Sequence, residues 1–316
     1  MGRSGRAGFF PFAQRPWALP VLVALYRSPE DNRKRGRPHK TPTQLMQVLL
    51  RLLLRWFPDR SFRFAGDAGY GSHDMADFAR RSQRRLHLVS KFHPKANLYQ
   101  PPPRVVGKKP NGRPRKKGAK LPSPQVVVLS SPHRRYNVAW YGGGRRDIEV
   151  VSGCGHWYKG GAGLVEVRWV YVHDRTGTHC DEYFYTTDLK LTPPEVIEAY
   201  AARWNVETTF AEMRSYPGLE TTRGWCARTV LLAEPCLFGL YSVVASLYEQ
   251  LPAEVQAEVG VEWEGKTTVT FSDAITAVRR WLWTNWAFEK GCHDDPFSKL
   301  PEPLRWTLLY ALAPAA

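Results

Sequence analysis

"FRFAGDAGYGSHDMADFARRSQRRLHLVSKF", residues 62–92, changes its periodicity twice. "FRFAGD" (62–67) alternates from side to side as a strand does, and "AGYGS" breaks it with two glycines. Ser72 is placed to cap a helix running to about Arg85, and "LHLVSKF" (86–92) reads as a second strand. Strand, helix and strand in succession point to an α/β layer. Asp67 ends the first strand. Taken alone it could simply cap the turn before residue 72, because aspartate is common there.

Upstream, "TPTQLMQVLLRLLLRWF" (41–57) carries a helix start, with Thr41 as N-cap and Pro42 in the first turn. Its leucine-rich body belongs against a sheet. Before it, "ALPVLVALY" (18–26) reads as a buried strand, followed by the basic loop "RSPEDNRKRGRPHK". Downstream, the stretch from 94 to 124 is rich in Pro, Gly, Lys and Arg and too polar to pack. Residues 125–187 turn to β: "QVVVLS", "YNVAWYG", "DIEVVSG", "LVEVRWVYVHD" and "DEYFYTTD" are separated by turn signals. Thr192 and Glu195 form a capping box that opens a helix running to about Arg214. Further helices are expected over 228–250 and 273–286. The expected division is 1–93, a basic linker with β-rich segment over 94–187, 188–250 with the charged helix, and a helical 251–316.

The chain has 316 residues and a formal charge of +16, which favours a polyanionic partner such as nucleic acid. Eight Lys or Arg residues and no acid lie between Pro103 and Lys120. Among them Arg113, Arg115, Lys116 and Lys117 are candidates for phosphate or minor-groove contact. The ordinary alternative is a solvated linker. The five cysteines (154, 180, 226, 236, 292) are scattered and odd in number, which suits a reducing cytosol. Cys154 with His156, and His179 with Cys180, lack the paired spacing of a zinc site. The N-terminus has no uninterrupted apolar core of a secretory signal, and "CLFGLYSVVASLY" reads as too short for a bilayer. A soluble cytoplasmic protein is expected.

"AYAARWNVETTFAEMR" (199–214) collects Tyr200, Arg203, Glu207 and Arg214 within about 60° of arc on a continuous helix. Arg203 and Glu207 alone would be an ordinary i,i+4 surface pair. The full Tyr-x2-Arg-x3-Glu-x6-Lys/Arg spacing resembles the signature helix of bacterial insertion-sequence transposases of the DDE superfamily, with arginine where the family usually has lysine. "FAGDAGYGS" is similar to that family's second acidic position, which identifies Asp67. Glu207 follows it by 140 residues (207 minus 67), leaving room for a β-rich insertion.

The resemblance implies an α/β, ribonuclease H-like domain, a β-rich insertion and a helical C-terminal region. It implies DNA strand cleavage and transfer with Mg²⁺ or Mn²⁺ held by Asp67 and Glu207, and double-stranded DNA as partner. Tyr200, Arg203 and Arg214 would then contact DNA, the arginines through paired hydrogen bonds to phosphates and the tyrosine by orienting a phosphate or packing on a sugar. Trp204 and Phe210 are expected in the core. Homodimerisation is left open. The family's first acid belongs on an opening strand, and no acid precedes Glu30. The expectation is therefore an incomplete, N-terminally truncated domain, inactive alone. The alternatives are a DNA-binding remnant and an unrelated nuclease using Asp67, Glu207 and an acid such as Asp188.

Overall fold

The computed structural model describes residues 13–14, 17–82, 85–103, 115–221, 229–257, 268–288 and 299–313. In chain order they form β1 (Ala13–Gln14), α1 (Pro29–Lys34), α2 (Pro42–Trp56), β2 (Phe62–Ala65), α3 (His73–Arg81), β3 (Leu86–Lys91), β4 (Leu98–Tyr99) and α4 (Pro124–Ser130). There follow β5 (Arg134–Ala139), β6 (Arg145–Lys159), β7 (Gly163–Asp174), β8 (Glu182–Thr186), α5 (Pro193–Ala201) and α6 (Asn205–Ser215). The last are α7 (Glu234–Gln250), α8 (Ala253–Ala257), β9 (Thr268–Val269), α9 (Phe271–Leu282) and α10 (Glu302–Leu312). Two compact units result, one from residues 24–204 and one from residues 1–23 with 205–316.

The first unit is built on a mixed sheet in the order β2-β3-β8-β7-β6-β4, with β5 also paired to β6. Only β2 and β3 run parallel in it, joined by the α3 crossover that the 62–92 pattern requires. Strand alternation sends two apolar sets to opposite faces. Leu86, Leu88, Val165, Val167, Trp169 and Tyr185 meet Met75, Ala76 and Ala79 of α3 and Leu50 of α2. On the other face Val89, Val170, Val172 and Phe184 meet Val196, Ile197 and Tyr200 of α5. Gly153 lets the long β6–β7 pair close over an indole, since a Cβ there would come within 2.8 Å of the Trp169 ring.

The strands read over 125–187 thus join the same sheet as β2 and β3. One differs in kind: "QVVVLS" is the helix α4. Pro124 at its first position fits a helix start, and Pro124 and Val128 are the residues it buries. Segment 18–26 is not a strand. Residues 17–28 have no regular structure, and Leu19, Val21, Val23, Leu25 and Tyr26 are exposed. No strand partner lies beside it among the described residues, and an apolar run alone makes no ladder. Helix α2 starts as expected: the Thr41 hydroxyl accepts from Gln44 N–H, and Gln44 returns the bond to Thr41 N–H at 2.9 Å. Met46, Leu50 and Leu54 pack on the sheet core, while Leu45, Leu49, Leu52 and Leu53 are only half-buried and Trp56 is exposed.

In the second unit, α6, α7 and α9 enclose Met213, Leu219, Tyr241 and Phe271, with Trp17 packed alongside. Tyr241 stacks on Phe271 at 3.9 Å and donates to Glu212 at 2.6 Å. Helix α7, with the π turn before it, spans 22 residues from Thr229 to Gln250 and is long and apolar enough to cross a membrane. The apolar run is therefore longer than its sequence core suggests. It buries Tyr241, Ala245 and Tyr248 against its neighbours, as a core helix does.

Candidate active site

At the carboxyl end of β2, Gly66 N–H still bonds to Val89 of β3, and Asp67 then turns the chain. One carboxylate oxygen of Asp67 accepts from Gly69 N–H at 2.9 Å, capping a 3-10 turn over Ala68–Tyr70. The ordinary capping role is thus present, on an exposed side chain. Two features fix the turn against β3. The buried Ser90 hydroxyl donates to the carbonyls of Gly66 and Asp67, at 2.9 and 2.8 Å. Gly71 packs so closely that a Cβ there would meet the Lys91 carbonyl at 2.6 Å.

The same sheet end receives the end of α5. Its start is the expected capping box, with the Glu195 carboxylate accepting from Thr192 N–H and hydroxyl at 2.7 Å. Its end carries Tyr200, whose ring lies 4.5 Å from Phe184 and is only 2 % exposed. That ring is core and does not pack on a sugar; the hydroxyl is the part left to act, and Arg203 hydrogen-bonds it. The Arg203 guanidinium also sits over the Tyr200 ring at 5.5 Å. Phe184 is the register partner of Lys91, the last residue of β3. Lys91 donates to Glu182 at 2.5 Å, and Tyr141 hydroxyl reaches the other Glu182 oxygen at 3.5 Å. This hydrogen bond holds the Lys91 pKa above the usual lysine value against the opposing effect of burial. Burial, with the Glu182 charge second, pushes the Tyr141 phenol up. Trp204 is not core: it is exposed and meets Tyr141 edge-on at 5.7 Å.

The expected single helix over 192–214 is interrupted. A 3-10 turn over Ala202–Trp204 separates α5 from α6, so the uniform 100° step that drew the four residues into one stripe does not hold through it. Tyr200 and Arg203 belong to the first compact unit, Glu207 and Arg214 to the second. Glu207 is exposed in the first turn of α6. Arg214 pairs with Glu220 at 2.7 Å, both exposed. Phe210 packs on Phe238, as expected of a core residue.

Of the basic segment, Arg113 lies outside the described residues. Arg115 and Lys116 are exposed. Lys117 has an intramolecular seat: its ammonium lies 4.0 Å from the Tyr99 ring and 4.4 Å from the Tyr158 ring.

The other acids weighed for a third ligand lie elsewhere. Asp31 is held by Arg27 and Arg35, Glu30 shares its short helix α1, and Asp59 is in the turn after α2. Asp188 meets Arg63 at 3.6 Å. Arg63 precedes Asp67 by four strand positions, roughly 13 Å at 3.3 Å per residue, so Asp188 belongs toward the opposite end of β2. Lys91, Glu182 and Tyr141 escaped the sequence reading, because the first two are 91 residues apart and only sheet register joins them. Cys154, Cys180 and Cys236 are free and exposed. Among the described residues no three His, Cys, Asp or Glu side chains are grouped to hold an ion. The exposed carboxylate oxygens of Asp67 and Glu207 are nonetheless the hard donors that Mg²⁺ takes.

A sheet covered by helices on both faces, with an exposed aspartate at the carboxyl end of a parallel strand, defines a ribonuclease H-like α/β protein. The model of the transposase DDE domain family matches residues 35–224, well over half of the chain, and the chain belongs to that family. No curated protein matches it.

Proposed function

We propose that this chain is a DNA-transposition protein whose Asp67 and Glu207 serve metal-dependent phosphoryl transfer, and that alone it binds double-stranded DNA without cutting it. One observation carries the reading: Asp67 sits at the same sheet end as Lys91, Tyr200 and Arg203, so a carboxylate and two cations attend one edge of the fold. Cations beside an acid suit a phosphodiester, whose charge must be held while the acid acts at its phosphorus. Mg²⁺ or Mn²⁺ held by Asp67 and Glu207 would stabilise charge on the attacking and leaving oxygens. Ser90 and Gly71 hold the Asp67 turn rigid, and the arginines orient the backbone.

The inactivity is what the resemblance implies, since the family works with three acids and Asp67 and Glu207 match two of them. Cytoplasmic residence fits a protein acting on DNA.

The test is incubation with DNA bearing the element's ends in Mg²⁺ or Mn²⁺, with Glu207→Ala as control. The expected result is retention of the DNA without strand breaks. Cleavage that depends on Glu207 overturns the inactivity, and absence of any DNA binding overturns the reading itself.

A further inference from the structure

Resting on that reading, we propose that Lys91 holds a DNA phosphate beside Asp67, and that Glu182 occupies Lys91 in the absence of DNA and is displaced by the phosphate. Position is the first support. Lys91 ends β3, directly after the serine whose hydroxyl fixes the Asp67 carbonyl. In parallel register its side chain shares a sheet face with Ala65 and Val89, the face that α5 covers, and the Arg203 charge is felt at Lys91.

Composition of the cluster is the second. Lys91 and the Tyr141 hydroxyl hydrogen-bond the single carboxylate of Glu182, and the Tyr200 phenol with its partner Arg203 lies within electrostatic reach of Lys91. A cation and a hydroxyl on one anion, with a second cation and phenol close by, make a cradle for negatively charged oxygen, and Glu182 fills it.

Accessibility is the third. The Lys91 side chain is 41 % exposed and that of Glu182 23 %. An ion pair so open to water is weakly bound, so a phosphate can replace the carboxylate at little net cost. A phosphate also offers more acceptor oxygens than the carboxylate it replaces. Once displaced, Glu182 repels the incoming backbone, which sets the sign of its effect. It opposes binding, although it orients the residue that binds.

The test measures affinity of the full chain for a short duplex of arbitrary sequence, by fluorescence anisotropy across about 50 to 200 mM salt. Lys91→Ala is expected to flatten the slope of log K against log salt by ~0.9, the loss of one phosphate contact, and Lys91→Arg to restore it. Glu182→Gln is expected to tighten binding several-fold. An unchanged slope in Lys91→Ala, or weaker binding in Glu182→Gln, overturns the proposal while leaving the transposase reading intact. A wild-type chain whose binding has no salt dependence overturns both. Should Lys91→Ala fail to fold, Glu182→Gln and Lys91→Arg decide the matter by the same signs.

Discussion

Arg115, Lys116 and Lys117 are consecutive cations in one basic segment, yet their surroundings separate them. The first two are exposed, while the third is lodged between Tyr99 and Tyr158. Substituting Arg115 and Lys116 together by Ala should remove up to two phosphate contacts and reduce the salt slope by ~1.8. Between about 50 and 200 mM salt the wild type then loses roughly 12-fold more affinity than the double variant. Lys117→Ala should leave that slope unchanged. It removes instead a cation from two aromatic faces that pin the segment to β4 and β6, and should lower Tm by about 2 °C. Anisotropy titration gives the slopes and a thermal melt gives Tm. Equal slope changes from Lys117→Ala and from each exposed residue would refute the division.

Gly71→Ala should push the Asp67 turn off β3, costing about 1–3 kcal/mol in a denaturant titration, because the backbone carbonyl of Lys91 stands 2.6 Å from the new methyl. Tyr241→Phe should cost about 1–2 kcal/mol by the same titration, since it strips a donor from Glu212 in a buried position. Asp174 is buried, and burial alone would raise its pKa. Hydrogen bonds from Thr176 and Thr178 and the Arg146 charge outweigh it and hold the carboxyl well below the usual range. Its folded pKa is depressed, so its stabilisation is present above the unfolded value near ~3.9 and fades as pH falls toward the folded one. Asp174→Asn should therefore lower Tm at neutral pH, with the gap to wild type narrowing in melts taken at decreasing pH below about 4.

Much of the scaffold was legible because local physics and tertiary packing agree. The 62–92 stretch switches between side-chain periods of two and three to four, and the structure follows each switch. Capping residues Thr41, Ser72 and Thr192 mark three helix starts within a residue. The failures occur where an apolar run was read without asking for a partner. Residues 18–26 have the composition of a strand and, among the described residues, no ladder to join, and 125–130 is valine-rich but follows a proline that suits a helix start. Around the candidate site, the turn that Asp67 caps was readable. Lys91 and Glu182 were not, since no local pattern distinguishes one lysine at a strand end from another until register pairs it. The 3-10 turn at 202–204 was equally hidden, because Ala202, Arg203 and Trp204 carry no helix-breaking residue.

Strand β6 pairs with β7 along nearly its whole length across a turn of three residues, whereas β3 meets β8 only over a long separation: Leu88 N–H bonds to Thr187, 99 residues later. During synthesis at about 5–20 residues per second, β3 therefore waits some 5–20 s for its antiparallel neighbour. The β6–β7 hairpin closes within microseconds of emerging. We expect the sheet to grow from that hairpin toward β3, so that the edge bearing Lys91 and Asp67 matures last. Arrested nascent chains ending before and after β8 should differ sharply in protease resistance of β3, and equal resistance would rule out this order. Until β8 arrives, Val89 and its neighbours are an open ladder that a chaperone must shield.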